Sequence, residues 1–228
     1  MTKKKLTWIF LLIGVVLLGT GFSLKLVFQK FPPLIVSTTS TLSQNNNLTL
    51  TNMNKKILIV IAFQDFRDEE YFVPKEILEK NGFTVETVSS KVGLAIGVEG
   101  GAIEVSKTAK EIETKNYDGV IFVGGPGMTE ELDNLDFQKL ARDFNQENKL
   151  VSAICIAPVL LAKSKLLENK RATVWSSPLD KSAIKILKEN GSIYVDQPVV
   201  VDGKIITANG PEAAKDFGEA IVKFFESR

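Results

Sequence analysis

Residues 150–158 read LVSAICIAP and contain Cys155, the only cysteine of the 228-residue chain. Five apolar or small residues come first, and a proline suited to the first turn of a helix ends the segment. The pattern predicts a buried strand, a sharp turn at Cys155 and a helix directly after it. Such a turn resembles a nucleophile elbow, which holds a reactive side chain above the end of a sheet.

Strand and helix patterns alternate on both sides of this segment. Further strands are predicted at 56–63, 83–89, 119–123, 172–175, 199–201 and 205–208, with a hairpin over 94–105. Helices are predicted at 68–81, 107–115, 130–148, 157–164, 182–190 and 211–226. This alternation predicts an α/β fold, a flavodoxin-like three-layer sandwich with a mostly parallel sheet covered on both faces. In such sheets the reactive groups lie beyond the carboxyl ends of the strands.

Composition excludes several classes of function. One cysteine rules out an intramolecular disulfide, and the chain has no histidine. Because histidine and cysteine are the usual zinc ligands, no metal site is expected. Residues 1–54 hold five lysines and no acid, so the rest of the chain is net acidic although the total charge is +1. An acidic domain without a basic stripe predicts no binding to nucleic acid.

The N-terminal residues 1–30 are predicted to form a transmembrane signal anchor. Lysines at 3–5 precede an uncharged apolar run over 6–24, which nearly spans a hydrocarbon core of ~30 Å. Membrane contact is expected through residues 6–28. A cleaved signal peptide is the alternative interpretation, but its apolar region is usually shorter.

A polar segment rich in Ser, Thr and Asn follows at 31–54, and this composition predicts a flexible stalk. The stalk leads to one domain over 55–228. The lysine cluster at 3–5 favours a cytoplasmic N-terminus, so the domain is predicted to lie outside the cytoplasm.

The predicted elbow brings together groups that could carry chemistry. Cys155 would face the free N–H groups at a helix N-terminus, an environment expected to lower the pKa of a thiol. The backbone N–H of Ile156 would be one oxyanion donor, and Gly125, in a glycine loop after another strand, would give the second. The alternative is that Cys155 is a small buried hydrophobe and the glycine loop only a turn.

Four motifs carry a resemblance to a known family. They are AICIAP at 153–158, EEYFVP at 69–74, GGPG at 124–127 and NGP at 209–211. In this order they resemble the motifs of the ThiJ/PfpI superfamily, also called the DJ-1/PfpI family. The similarity extends over about residues 55–228.

The resemblance implies a fold like that of the class I glutamine amidotransferases, with Cys155 as nucleophile or oxidation-sensitive thiol. It implies that Glu70 is a buried, protonated carboxyl beside the sulfur, and that Gly125 and Ile156 supply the oxyanion N–H groups. From the residues alone, the acids at 68–70 indicate a helix cap or surface role. Members of the family are commonly homodimers and need no cofactor.

Departures from the family pattern narrow the expected activity. Ile156 stands where the protease branch has a histidine, and residues 175–178 lack the histidine common in the glyoxalase branch. Because Glu70 would have to act as both acid and base, peptidase activity is not expected. The leading hypothesis is a glyoxalase- or deglycase-like enzyme acting on small reactive carbonyls. A peroxide-responsive redox sensor and a chaperone or binding domain are the alternatives.

Overall fold

A computed structural model describes residues 55–227 of the chain. The strands, in chain order, are β1 (Lys56–Val60), β2 (Gln64–Phe66), β3 (Thr84–Val88), β4 (Gly93–Gly97), β5 (Ala102–Val105), β6 (Gly119–Phe122), β7 (Leu150–Ile154), β8 (Arg171–Ala172), β9 (Ile193–Tyr194), β10 (Val199–Asp202) and β11 (Ile205–Ala208). The helices are α1 (Asp68–Lys80), α2 (Pro126–Glu131), α3 (Leu135–Gln146), α4 (Pro158–Lys163), α5 (Ser182–Glu189) and α6 (Ala214–Glu226).

The central sheet has six strands in the order β10-β11-β7-β6-β1-β3. Neighbouring strands are parallel except for β10, which forms the predicted antiparallel hairpin with β11. A small sheet, β2-β4-β5, contains the predicted hairpin insertion, and β8 pairs with β9. The carboxyl ends of β1, β6, β7 and β11 therefore meet at one edge, which is where ligands bind in sheets of this kind.

Both faces of the sheet are buried, and this explains the continuous apolar runs of its strands. Along β1, Ile57 and Ile59 pack into a cluster that includes side chains of α1 and α6. Leu58 and Val60, on the alternate face, pack into a second cluster with α3, α4 and α5. The predicted flavodoxin-like α/β sandwich is confirmed.

Several predicted elements differ from the observed ones. The helix expected at 130–148 is two helices, α2 and α3, because the Asn134 side chain accepts hydrogen bonds from the backbone of Asp136 and Phe137 and starts a new helix. The helix expected at 107–115 is a pair of short 3-10 turns. The strand expected at 172–175 pairs only over β8, and β2 and β9 were not predicted.

The predicted anchor over 1–30 and the stalk over 31–54 lie outside the described residues. Within 55–227, none of the helices is long and apolar enough to cross a membrane.

Candidate active site

Cys155 lies directly after β7, at the carboxyl edge of the sheet. Its φ of 64° is in the left-handed region that few residues other than glycine adopt. The backbone N–H of Cys155 donates to the carbonyl of Ala208 at 2.9 Å, and its own carbonyl accepts from the N–H of Trp175 at 2.8 Å. These two bonds hold the turn from both sides, so the sulfur projects above the sheet as a nucleophile elbow would present it.

Glu70, in the first turn of α1, is fully buried beside this turn. Its Oε2 accepts a hydrogen bond from the N–H of Gly124 at 3.0 Å, while Oε1 is buried without a hydrogen-bond donor among the described residues. The thiol of Cys155 is close enough for the two groups to affect each other's titration. The structure therefore brings these two predicted residues together.

Glycine is required where the loop after β6 contacts Cys155 and Glu70. A Cβ placed on Gly124 would lie 2.6 Å from Cβ of Cys155 and 2.7 Å from Oε2 of Glu70. Gly125 has a φ of 107°, and a Cβ there would lie 2.5 Å from the backbone nitrogen of Arg67. A larger residue at either position would force the loop away from the sulfur.

The two predicted oxyanion donors also lie at the sulfur. The backbone N–H groups of Gly125 and Ile156 are close enough to the Cys155 side chain to favour its thiolate form. They come from different segments, one from the loop after β6 and one from the elbow itself. Two converging N–H groups can stabilise negative charge on a sulfur or on an oxygen attached beside it.

Burial dominates the electrostatics of the pair. It raises the pKa of Glu70 to about 7, although the hydrogen-bonding partners and Arg67 act in the opposite direction. Burial, and then the charge of Glu70, also raises the pKa of Cys155, while the N–H groups of Gly125 and Ile156 act to lower it. The expected net lowering of the pKa of Cys155 was wrong. The N–H groups act in the expected direction, but burial and the charge of Glu70 outweigh them, and the sequence does not reveal how far water is excluded.

Because the ionised carboxylate opposes the thiolate, the two side chains titrate as a coupled pair. Loss of one proton near pH 7 leaves a single negative charge, which can reside on Glu70 or on Cys155. The thiolate is available when the remaining proton sits on the carboxyl. Glu70 can therefore donate a hydrogen bond to the sulfur and accept a proton from a substrate.

A cavity of about 330 Å³ opens above the sulfur. Its lining consists of Arg67, Glu70, Gly125, Pro126, Thr129, Cys155, Ile156, Trp175 and Pro211. Sequence reasoning missed five of these as site residues: Arg67, Pro126, Thr129, Trp175 and Pro211. Arg67 could have been noticed, because a cation beside the positive end of a helix is unfavourable unless it has another task. Pro126 and Pro211 belong to the GGPG and NGP motifs, whereas nothing in the sequence pattern distinguishes Thr129 or Trp175.

Within residues 55–227, no group of three or more His, Cys, Asp or Glu side chains is placed to hold a metal ion. The residues that line the cavity provide a thiol, a carboxyl, a guanidinium, a hydroxyl and backbone N–H groups.

Fold and site together define a flavodoxin-like α/β protein with a cysteine on a nucleophile elbow beside a buried glutamate. A sequence profile of the DJ-1/PfpI family matches residues 55–224, and the chain belongs to that family.

Relatives and solved structures agree with this assignment. An uncharacterised protein of Methanocaldococcus jannaschii is 44% identical over 184 residues, which cover 80% of this chain and 88% of that protein. The crystal structure of a ThiJ/PfpI domain protein from Brachyspira murdochii has a TM-score of 0.72 and 34% identity, and covers 76% of this chain and 97% of its own. Drosophila melanogaster DJ-1beta, at 23% identity, shares the fold with a TM-score of 0.66, covering 77% of this chain and 92% of its own.

Proposed function

We propose that Cys155 adds to small α-oxoaldehydes and that Glu70 moves the protons, in a glyoxalase- or deglycase-like reaction. One observation carries the proposal: the thiol, the buried carboxyl with its raised pKa, and two N–H donors meet in one cavity. An electrophilic carbonyl carbon above the sulfur would have its oxygen within reach of the N–H groups of Gly125 and Ile156.

The reaction can be written with Glu70 as its one acid and base. Sγ of Cys155 bonds to the aldehyde carbon, the π electrons move to the oxygen, and the thiol proton reaches that oxygen through Glu70. Glu70 then takes the proton on this carbon and returns it to the neighbouring carbonyl carbon, while the hydroxyl proton moves from the first oxygen to the second, giving a thioester of a 2-hydroxy acid. Water adds to the thioester, the C–S bond breaks and the thiol regains its proton. One water is consumed, and no outside oxidant or reductant is needed.

Peptide hydrolysis fits the site less well. A peptidase needs one group to activate the nucleophile and an acid to protonate the departing amine. The chain has no histidine, and Ile156 stands where the Cys–His arrangement would need one. Rearrangement of an α-oxoaldehyde avoids this requirement, because it expels no amine.

The test is consumption of methylglyoxal by the full-length chain, with 2-hydroxy acid formation as the product assay. We expect Cys155→Ala to abolish turnover. That variant also serves as the control for slow scavenging by surface lysines, which it leaves intact. Equal turnover by the wild type and Cys155→Ala would remove the proposal.

A redox sensor is a second candidate, favoured by Oε1 of Glu70, which is buried without a donor. One oxygen of a sulfinate on Cys155 could accept a hydrogen bond from the protonated carboxyl of Glu70, while the N–H groups of Gly125 and Ile156 donate to its other oxygen. Intact mass after peroxide should then show added oxygen on Cys155 at doses that leave the methionines unmodified. Oxidation of methionines first would remove this candidate.

We also propose that residues 6–28 anchor the protein in a membrane, with the domain outside the cytoplasm, and that the domain forms a homodimer. The uncharged apolar run after three lysines supports the anchor. Family membership supports the dimer. Extraction of the full-length chain from membranes by alkaline carbonate would contradict the anchor. A monomeric mass at all concentrations tested would contradict the homodimer.

A further inference from the structure

Arg67 brings a positive charge to the wall of the cavity that contains Cys155. Among the described residues that line this cavity, Arg67 is the one cation and Glu70 the one acid. We propose that Arg67 selects substrates that carry an anionic group, a carboxylate or a phosphate, beside the reactive carbonyl. The claim that Arg67 selects substrates rests on the function proposed above. The claim that Arg67 favours anions near Cys155 can be tested without turnover.

The backbone of Arg67 is fixed next to the reactive loop. Its N–H donates to the carbonyl of Gly124 at 3.1 Å, and its carbonyl accepts from the N–H of Tyr71 at 3.2 Å as α1 begins. The side chain therefore starts from a defined point at the cavity wall. It is one-third exposed, so its guanidinium can reach both the cavity and solvent.

Most of the guanidinium is available to a ligand. Its Nε pairs with Oε2 of Glu69 at 3.2 Å, and the terminal nitrogens of Arg67 form no hydrogen bond or ion pair with the described residues. The contact with Glu69 is an ion pair without a hydrogen bond, since Oε2 of Glu69 has no hydrogen-bond partner among the described residues. The terminal N–H groups of a guanidinium form a planar fork, which matches a carboxylate or phosphate. Glu69 thus lies beside the group without occupying the edge that would bind an anion.

The charge of the cavity also favours an anion. When Glu70 holds its proton, below a pH of about 7, the charge of Arg67 is not balanced by the cavity acid. The cavity volume of about 330 Å³ lies within the range of ~300–1,000 Å³ that is typical of small-molecule sites. A 2-oxo acid with an aldehyde, or a phosphorylated three-carbon oxoaldehyde, would therefore fit. A neutral oxoaldehyde would leave the terminal nitrogens of Arg67 without a partner.

Two alkylating reagents of nearly equal shape test this inference. Iodoacetate is anionic and iodoacetamide is neutral, and Cys155 is the only thiol they can label. We expect the ratio of their rate constants on the full-length chain to exceed that for free cysteine by about tenfold, the scale of one charged hydrogen bond. Any change in the pKa of Cys155 affects both reagents equally and cancels in the ratio.

Four variants test whether the ratio of the two rate constants depends on the charge of Arg67. Arg67→Met should lower it to the value for free cysteine, whereas Arg67→Lys, which keeps the charge, should retain most of it. Glu69→Gln should raise it, because a nearby negative charge is removed. Arg142→Met, on α3 and outside the cavity lining, is the matched control and should leave the ratio unchanged. A wild-type ratio equal to that of Arg67→Met would overturn the inference.

Protection experiments identify the anion. Acetate and inorganic phosphate, each compared with chloride at equal ionic strength, should slow labelling by iodoacetamide in the wild type but not in Arg67→Met. Better protection by acetate would indicate carboxylate substrates, and better protection by phosphate would indicate phosphorylated ones. Protection by neither anion would contradict the inference. If the ratio and protection behave as expected but no carbonyl is consumed, the anion site stands and the enzymatic proposal fails. If neutral carbonyls are consumed and the ratio does not respond to Arg67→Met, the enzymatic proposal stands and the anion site fails.

Discussion

At the scale of single residues, three adjacent acids have three different tasks. Asp68 accepts hydrogen bonds from backbone N–H groups of the β4–β5 hairpin, Glu69 pairs with Arg67, and Glu70 enters the cavity. From the residues alone each could be a helix-terminal acid, because the favourable end of a helix explains any of them. Only the family motif, with its proline four residues later, singled out Glu70.

Gly124 gives a prediction at this scale. A Cβ in Gly124→Ala would overlap both Cys155 and Glu70, so the pair must separate. We expect the rate of Cys155 alkylation at pH 7.5 to fall at least about tenfold, as a loss of one charged hydrogen bond would give. Gly203→Ala is the control for backbone strain alone, because that glycine has a φ of 64° in the β10–β11 turn and the added carbon meets no atom within 4 Å. Equal alkylation rates in both variants would show that the contact at Gly124 does not hold the pair together.

At the scale of elements, the core strands were easier to predict than the short outer strands and the helix boundaries. The core strands β1, β6 and β7 are continuous apolar runs because both faces are buried, so their pattern needs no partner to be recognised. The three residues of β2 have no such pattern, since two of them are exposed and pairing with β4 is what makes them a strand. The break between α2 and α3 depends on a side-chain cap, a local contact that periodicity alone does not show.

Asp68 gives a prediction about how two elements are joined. Its buried carboxylate, at the start of α1, accepts from the N–H groups of Glu99 and Gly101 at 2.8 and 2.7 Å, and so ties the hairpin to the helix. Asp68→Asn keeps one acceptor but loses the charge, and Asp68→Ala loses both bonds. We expect the free energy of unfolding in urea to fall by about 1–3 kcal/mol for the alanine variant, and by less for asparagine.

Glu104→Gln is the matched control for this measurement. Glu104 is exposed on β5 of the same hairpin, and its replacement should change stability by no more than about 0.5 kcal/mol. If Asp68→Ala unfolds at the urea concentration of the control, the hairpin is held by other contacts.

At the scale of the whole molecule, the buried carboxyl links stability to pH. Burial raises the pKa of Glu70 from 4.5 to about 7, so the folded protein keeps a proton that the unfolded chain has already lost. The stabilisation of the folded protein by this retained proton is complete below pH 4.5 and declines as pH rises to about 7. The total loss is about 3 kcal/mol at 1.36 kcal/mol per pKa unit.

Urea unfolding of the wild type and Glu70→Gln between pH 5 and 8 measures this link. The stability of the wild type, relative to the variant, should fall as pH rises through this window and become constant above it. Comparison between the two proteins removes the contribution of groups such as Glu86, whose lowered pKa lies outside the window. A difference independent of pH would mean that Glu70 is ionised in the folded protein throughout.

The site as a whole was only partly visible in the sequence. The elbow at Cys155, the donor Ile156 and the glycine loop at Gly125 follow from strand ends and local turn chemistry, and all three meet in the structure. Arg67 was missed and the pKa of Cys155 was predicted in the wrong direction. Both errors have one source, because the depth of a cavity and the charges around it arise only when distant segments pack.

Whether Cys155 and Glu70 act as one unit can be measured by the pH dependence of iodoacetamide labelling of the full-length chain. If the pair shares a proton, the wild-type rate should rise with a midpoint near pH 7, follow the raised pKa of Glu70, and then level off. In Glu70→Gln the buried thiol must ionise alone, so the midpoint should move upward by at least about one pH unit. A wild-type midpoint at about 8.5, the value of a free thiol, that Glu70→Gln leaves unchanged would contradict the shared proton.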